Sequence, residues 1–224
     1  MQPLTLQSEL EAFRADFIAK VPADVRAAMA RADAKLLASG LAQRALKAGD
    51  RVPHDIALRH VRGRTVTLSR FLRNGPVVLS FYRGGWCPYC NLELRALQAM
   101  LPAFQRHGAT LVAVSPQTPD ASLDTAEQNA LAFPVLSDVG STLARAFGIA
   151  FDLADELRPI YTRLGHPLPA SNGSDDWVLP IPATYVIGGD GVIRYAFVDS
   201  DYRNRLEPAV IVDALRELSA ARAA

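Results

Sequence analysis

A buried strand that runs directly into a pair of cysteines constrains the fold of this chain more than any other feature. Residues 76–82 (Pro-Val-Val-Leu-Ser-Phe-Tyr) form a nearly continuous apolar run, as a parallel strand covered on both faces requires. Residues 83–90 (Arg-Gly-Gly-Trp-Cys-Pro-Tyr-Cys) follow at once, and apolar side chains then recur at helical spacing until His107-Gly108. The sequence therefore predicts a strand, a tight turn that carries two cysteines, and a long helix.

The rest of the chain predicts an α/β architecture around this unit. A second apolar strand is expected at 109–115, which makes a right-handed parallel strand–helix–strand unit. The pattern further predicts helices at 120–131, 141–147, 152–164 and 205–220, a short strand at 133–137, a loop at 165–176, and hairpin strands at 183–187 and 192–198. This order is that of a thioredoxin-like fold, with a central mixed β-sheet flanked by helices.

The first 47 residues have a different, wholly helical pattern. Leu6, Leu10, Phe13 and Phe17 recur at helical spacing, and Pro22 is placed to open a second helix. We interpret residues 1–47 as an N-terminal helical extension and residues 48–224 as the thioredoxin-like domain. The extension is expected to serve as a cap on the domain or as an arm for homodimerisation.

Charge and composition exclude several classes of function. The net charge is +1, which gives no electrostatic basis for binding nucleic acid or an anionic membrane. No apolar run approaches the ~20 residues of a membrane helix. Glu9, Glu11 and Asp16 stand where a signal peptide is basic and then apolar, so we expect a cytoplasmic protein. The four histidines are scattered and no phosphate-binding loop is present, so neither a metal nor another cofactor is expected.

Cys87 and Cys90 are the candidate catalytic residues. In a reducing compartment, two cysteines three residues apart at a strand–helix junction indicate redox chemistry rather than a structural disulfide. A cysteine in the first turn of a helix faces unpaired N–H groups and the positive end of the helix dipole, and both favour the thiolate. Pro88 suits that first turn. Two buried apolar cysteines, or half of a zinc site, are the alternatives, but a zinc site needs a second ligand pair.

The neighbours of the two cysteines are candidate supporting residues. Arg83 adds positive charge beside them, and Tyr82 and Trp86 flank them, although core packing explains the two aromatic residues equally well. The glycines at 84 and 85 allow the tight turn and leave the sulfur atoms approachable.

The segment from Phe81 to Gln98 resembles the alkyl hydroperoxide reductase/thiol-specific antioxidant family, the peroxiredoxin-like branch of the thioredoxin-fold superfamily. That family has a strand ending in Phe-Tyr, followed by Pro-x-x-x-Thr-x-x-Cys at the start of a helix. The likeness covers about residues 48–220 and includes Ala48–Pro53 and Thr67–Ser69. It implies that Cys90 occupies the position of the peroxidatic cysteine.

The chain departs from the family pattern at three positions. Arg83 and Cys87 replace the family proline and threonine, and the family arginine before the late hairpin strand falls at Pro182. The resemblance implies that this arginine holds the thiolate and the peroxide, so its role would pass to Arg83 or to another residue. Residues 86–90 also resemble the Trp-Cys-x-x-Cys of thioredoxins, and Ile181-Pro182 resembles their cis-proline loop, which predicts a cis peptide at Pro182.

These resemblances support three functional hypotheses. The preferred one is an antioxidant thiol peroxidase for hydrogen peroxide or organic hydroperoxides, in which Cys90 attacks, Cys87 forms the disulfide, and thioredoxin, glutaredoxin or a small thiol restores the dithiol. The second is a thiol–disulfide oxidoreductase, in which Cys87 attacks a substrate disulfide and Cys90 resolves the mixed disulfide. The third is a redox-regulated interaction module with the N-terminal helices as its binding surface.

Overall fold

A seven-stranded mixed sheet forms the centre of the computed structural model, which describes residues 5–223. The strands of the protein are β1 (Leu58–His60), β2 (Thr65–Val66), β3 (Val77–Phe81), β4 (Thr110–Ser115), β5 (Val135–Ser137), β6 (Ala150–Asp152), β7 (Val178–Pro180), β8 (Ala183–Ile187) and β9 (Ile193–Val198). The central sheet has the order β2-β1-β5-β4-β3-β8-β9. Strands β3, β4 and β5 are parallel, whereas the outer pairings are antiparallel. Strands β6 and β7 form a separate antiparallel pair.

Helices cover both faces of the sheet. They are α1 (Leu6–Lys20), α2 (Ala23–Ala38), α3 (Leu41–Arg44), α4 (Leu68–Leu72), α5 (Pro88–Arg106), α6 (Pro119–Gln128), α7 (Thr142–Ala146), α8 (Arg158–Arg163), α9 (Leu168–Asn172) and α10 (Pro208–Ala223), with a 3₁₀ turn at Asp155–Leu157. None of the helices within residues 5–223 combines the length and the apolar character that a membrane crossing needs.

Strand β3 lies between two hydrophobic cores, which explains its continuous apolar sequence. Val77, Leu79 and Phe81 pack into the core beneath α4 and α7. Val78 and Tyr82 pack into the other core, against α5, α10 and α1. Because successive side chains of a strand point to opposite faces, a strand covered on both sides is apolar at nearly every position, and Ser80 is the one polar residue of β3.

The predicted α/β class and thioredoxin-like sheet are confirmed, and four local predictions differ from the structure. The predicted helix 152–164 contains the 3₁₀ turn and α8, and the predicted loop 165–176 contains the short helix α9. Strands β6 and β7 were not predicted, because each has three residues and is held by non-local pairing, such as Ala150 with Pro180. The last helix begins at Pro208 rather than at residue 205, so Arg205 lies in the preceding loop.

The N-terminal helices pack against the rest of the chain. Leu6 and Leu10 of α1 are buried in the core that contains α5. Val25 and Ala28 of α2 are buried against Leu157 and Tyr161. Helices α1 and α2 thus cover part of the remaining chain, as a cap would. The division of the chain into residues 1–47 and 48–224 stays a prediction.

Candidate active site

The turn between β3 and α5 requires its two glycines. Gly84 has φ +151°, and a Cβ there would lie 2.3 Å from Nε1 of Trp86. A Cβ on Gly85 would lie 2.2 Å from Oγ1 of Thr125. The Gly85 N–H donates to Oε1 of Gln117 at 2.8 Å, and the Cys87 N–H donates to the Gly84 carbonyl at 3.0 Å. The turn is therefore closely packed and places the cysteine residues at a fixed point.

Both cysteines lie at the N-terminal end of α5. Cys87 is the N-cap residue, Pro88 occupies the first turn as predicted, and Cys90 lies one turn further on. Both are present as free thiols. Only 2% of Cys87 and none of Cys90 is exposed, so both sulfurs are shielded from solvent.

Arg83 lies buried beside the pair, and 3% of it is exposed. Its backbone N–H donates to Sγ of Cys90 at 3.5 Å, and its guanidinium donates to the hydroxyl of Tyr161. The guanidinium carbon lies 4.3 Å from the ring centre of Tyr202 and 5.1 Å from that of Trp86. These aromatic rings stabilise the positive charge of Arg83 close to the dithiol.

Arg205 is a second buried arginine at the dithiol, and sequence reasoning missed it. Its Nη2 donates to Sγ of Cys90 at 3.6 Å, and its Nη1 donates to Oε2 of Glu93 at 3.0 Å. The hydroxyl of Thr184 donates to the other oxygen of Glu93 at 3.3 Å. Glu93 thus holds one nitrogen of the Arg205 guanidinium, while the other nitrogen faces Sγ of Cys90. Arg205 thus places a second positive charge beside the dithiol, and the transfer of the family arginine's role to another residue stays a prediction.

The charges around the dithiol favour one thiolate and one thiol. Burial opposes ionisation of Cys87, but the hydrogen bond from Cys90 and the charges of Arg83 and Arg205 outweigh it and lower the pKa of Cys87 to about 5. Burial, together with the hydrogen bond and the charge of Cys87, raises the pKa of Cys90 well above its usual value. The two directions together favour a single negative charge on the pair at neutral pH, on the Cys87 side of the hydrogen bond that the two sulfurs share.

Two more of the predicted site residues, Tyr82 and Trp86, lie beside the dithiol. Tyr82 is fully buried in the core next to Cys90, and burial raises its pKa to about 12, so its phenol stays protonated. Trp86 packs edge-on against Tyr161 and stacks on His166 with ring centres 5.3 Å apart. Tyr82 and Trp86 thus lie where the sequence places them, beside the dithiol.

The predicted cis peptide at Pro182 is wrong, because no cis peptide occurs in residues 5–223. The chain stays extended from β7 into β8, and the Ile181 N–H donates to the Ile149 carbonyl at 2.8 Å. Pro182 instead lines a cleft that ends at Arg83.

That cleft has a volume of about 390 Å³ and lies between α2 and the β6 region. Its walls are mainly apolar, and they are formed by Met29, Ala32, Leu36, Leu41, Phe151, Leu153, Leu157, Ile181 and Pro182. Arg83 and Tyr161 are buried lining residues, Asp33 and Tyr202 are half-buried ones, and Lys35, Arg44 and Asp152 are exposed ones. The cleft therefore leads from solvent to the arginine beside Cys87.

A metal centre does not form in the part of the chain that the structure describes. No three histidine, cysteine, aspartate or glutamate side chains within residues 5–223 are grouped so as to hold an ion.

The model of the AhpC/TSA family matches residues 48–196, well over half of the chain. The chain belongs to this family. Among curated proteins, a chloroplastic peroxiredoxin Q of Triticum aestivum is 27% identical over 157 residues, 70% of this chain. The match covers 59% of that relative's length, or about three fifths. A putative peroxiredoxin of Mycobacterium tuberculosis is 32% identical over 115 residues, which are 51% of this chain and 74% of the relative.

A solved structure is similar in fold. The crystal structure of peroxidoxin BcpB from Mycobacterium tuberculosis superposes with a TM-score of 0.60 at 24% identity, covering 77% of this chain and 97% of the other. The segment matched by the AhpC/TSA model contains Cys87, Cys90 and Arg83 but ends before Arg205. The second arginine of the site thus comes from a part of the chain that the family model does not match.

Proposed function

We propose that the protein is a thiol peroxidase that reduces hydroperoxides with Cys87 and Cys90. The observation that carries this proposal is a buried dithiol with a lowered first pKa, flanked by two buried arginines. A thiolate is the nucleophile, and positive charges stabilise the negative charge that develops on the leaving oxygen as the O–O bond breaks. Membership of the AhpC/TSA family supports the same conclusion.

Cys87 is the attacking sulfur in this proposal, in place of the Cys90 that the family position implies. The directions of the two pKa shifts favour the thiolate on Cys87, and of the two buried sulfur residues only Cys87 keeps any exposure, at 2%. Its thiolate attacks the terminal peroxide oxygen, the O–O bond breaks, and an alkoxide or hydroxide leaves. The leaving oxygen takes the proton of Cys90, which gives an alcohol or water, a Cys87 sulfenic acid and a Cys90 thiolate.

The second step closes the disulfide. The Cys90 thiolate attacks the sulfur of the Cys87 sulfenic acid, the S–O bond breaks, and hydroxide leaves and takes a proton from solvent to become water. Two electrons have then passed from the dithiol to the peroxide. Two thiol groups of an external reductant restore the dithiol by exchange and become a disulfide themselves, and the burial of both sulfurs favours a small thiol over thioredoxin or glutaredoxin in this step.

The burial of both sulfurs favours a peroxide over a protein disulfide as the oxidising substrate. A protein disulfide has to bring its own sulfur into line with the attacking thiolate, which 2% exposure of Cys87 opposes. The peptide at Pro182 is trans, so this segment lacks the cis-proline loop on which the resemblance to thioredoxins partly rested.

The cleft between α2 and β6 is suited to the organic part of a hydroperoxide. Its walls are apolar, and it ends at Arg83, whose charge acts on Cys87. Burial of an apolar chain there contributes about 25 cal/mol per Å² of binding free energy. Hydrogen peroxide has no apolar group that could pack against these walls.

The cleft gives a test of substrate preference. Ala32→Phe, on the half-buried face of α2, fills part of the cleft. We expect the rate constant with cumene hydroperoxide to fall roughly tenfold, because one mis-sized group in a pocket has about this effect, while that with hydrogen peroxide is unchanged. Ala27→Phe, at an exposed position of the same helix, is the matched control and should alter neither rate. Equal losses with both peroxides would show that the cleft does not hold the organic part.

The pH dependence of the first oxidation tests the function itself. Stopped-flow tryptophan fluorescence of the reduced protein with hydrogen peroxide reports the reaction, since Trp86 adjoins the pair. A lowered pKa means that the thiolate is complete above it and is lost as pH falls through it. The rate constant should therefore be level above about pH 6 and fall ~tenfold per pH unit below about pH 5. A rate no faster than that of an ordinary free thiol would contradict the peroxidase function.

A further inference from the structure

Two segments outside the family match contact each other beside the dithiol. The first is the N-terminal extension, and the second is the arginine loop, which we define as residues 199–207 between β9 and α10. Oδ2 of Asp33 in α2 accepts a hydrogen bond from Nη2 of Arg203 at 2.8 Å. Oε1 of Glu207 accepts one from the backbone N–H of Gln7 in α1 at 2.6 Å. Each long helix of the extension thus holds the loop at one point.

The arginine loop supplies two groups to the site. Arg205 faces Cys90 with 3.6 Å between Nη2 and Sγ. The ring of Tyr202 lies over the Arg83 guanidinium and meets Tyr89 edge-on, with ring centres 5.6 Å apart. Both residues lie within two positions of Arg203, so a shift of Arg203 moves them together.

The pair of Asp33 and Arg203 is better placed to fix the loop than the other ion pair of α2. The side chains of Asp33 and Arg203 are 25% and 23% exposed, and Asp201 within the loop also holds Arg203, at 2.6 Å. Arg31 and Glu156 form the other pair, with side chains 63% and 39% exposed. Solvent screens the second pair more strongly, so it contributes less to a fixed geometry.

We propose that Asp33 and Arg203 are positioning residues for the dithiol, and that the N-terminal extension holds the arginine loop so that Arg205 and Tyr202 stay in place. The kinetic part of this inference rests on the proposed peroxidase function, whereas its effect on thiolate formation does not.

The groups that face the dithiol set the direction of the expected effect. The cations are Arg83 and Arg205, and the other titratable groups are Tyr82, Tyr89, Glu93, Tyr161 and His166. Tyr202 of the arginine loop lies over Arg83, and burial raises its pKa, so its phenol stays neutral. Arg205 is thus the one charged group that the arginine loop brings to the dithiol. A loosened loop therefore withdraws one of two positive charges and raises the pKa at which the thiolate forms.

Asp33→Asn tests the inference with two readouts, ultraviolet thiolate absorbance against pH and the rate constant with hydrogen peroxide. We expect the thiolate to form at higher pH. The rate constant should fall roughly fivefold at about pH 5 but less than about twofold above about pH 7, where the thiolate is complete in both proteins. A merely structural role would lower the midpoint of thermal unfolding and leave the titration unchanged.

Three further variants complete the experiment. Arg31→Gln breaks the exposed ion pair of the same helix and should titrate like the wild type. Asp33→Glu keeps the charge and should restore most of the wild-type profile. Glu207→Gln weakens the second contact and should shift the titration in the same direction, which keeps the test available if Asp33→Asn fails to fold. Wild-type titration curves in Asp33→Asn and Glu207→Gln would overturn the inference, and a shift without any peroxide reaction in the wild type would overturn only the peroxidase function.

Discussion

Cys87→Ser is expected to abolish the fast reaction with hydrogen peroxide. Serine cannot supply a thiolate, and the remaining Cys90 thiol has its pKa raised by burial. We expect the rate constant of the first oxidation to fall by roughly three orders of magnitude or more, as when a nucleophile is removed from an enzyme. Stopped-flow tryptophan fluorescence measures this rate, and the mass of the protein identifies the oxidised product.

Cys90→Ser is the matched variant and should behave differently. The serine hydroxyl still donates a hydrogen bond to the Cys87 thiolate, and Arg83 and Arg205 are retained, so the first oxidation should remain fast. The product should carry one added oxygen, as a sulfenic acid on Cys87, and no disulfide. The reverse pattern, with Cys87→Ser fast and Cys90→Ser slow, would assign the attack to Cys90.

Removal of Arg205 is expected to have the second largest effect. Arg205→Met alone leaves the Glu93 carboxylate buried without its cation, which costs about 3–5 kcal/mol of stability. The double variant Arg205→Met/Glu93→Gln avoids this. We expect its rate constant with hydrogen peroxide to be lower by roughly 100-fold, the effect of losing one donor that stabilises developing charge.

Glu93→Gln is the control for the double variant. It keeps the guanidinium beside Cys90 and removes only the ion pair, so most of the rate should remain. The thiolate titration of the double variant should lie at higher pH than that of the wild type, because one positive charge near Cys87 is lost. A double variant as fast as Glu93→Gln would show that Arg83 suffices for the reaction.

Local sequence features predicted the central part of the fold and the two cysteines. The run from residue 76 to residue 108 has its strand, turn, N-terminal proline and helix in one continuous stretch, so neighbouring residues specify each element. Glu93 was also detectable in principle. It is a charged residue on the face of α5 that carries Cys90, Leu94 and Leu97, which is unusual for a buried position.

Arg205 could not be found in this way. It lies 115 residues after Cys90, in a polar stretch (Asp-Ser-Asp-Tyr-Arg-Asn-Arg) that is typical of an exposed loop. Only tertiary packing brings it to the dithiol. The same reason applies to β6 and β7, whose pairing determines their conformation, and to Pro182, whose peptide geometry depends on the strands on either side.

The origin of the second arginine has a consequence for biosynthesis. A ribosome releases the chain from its N-terminus, so α5 and both cysteines emerge long before residues 199–207. Until those residues dock, Cys90 has no guanidinium from Arg205 beside it, and the contacts of Asp33 and Gln7 with the arginine loop cannot form. We expect the nascent dithiol to be less acidic than that of the folded protein, so that peroxide reactivity rises only once residues 199–207 have emerged and docked.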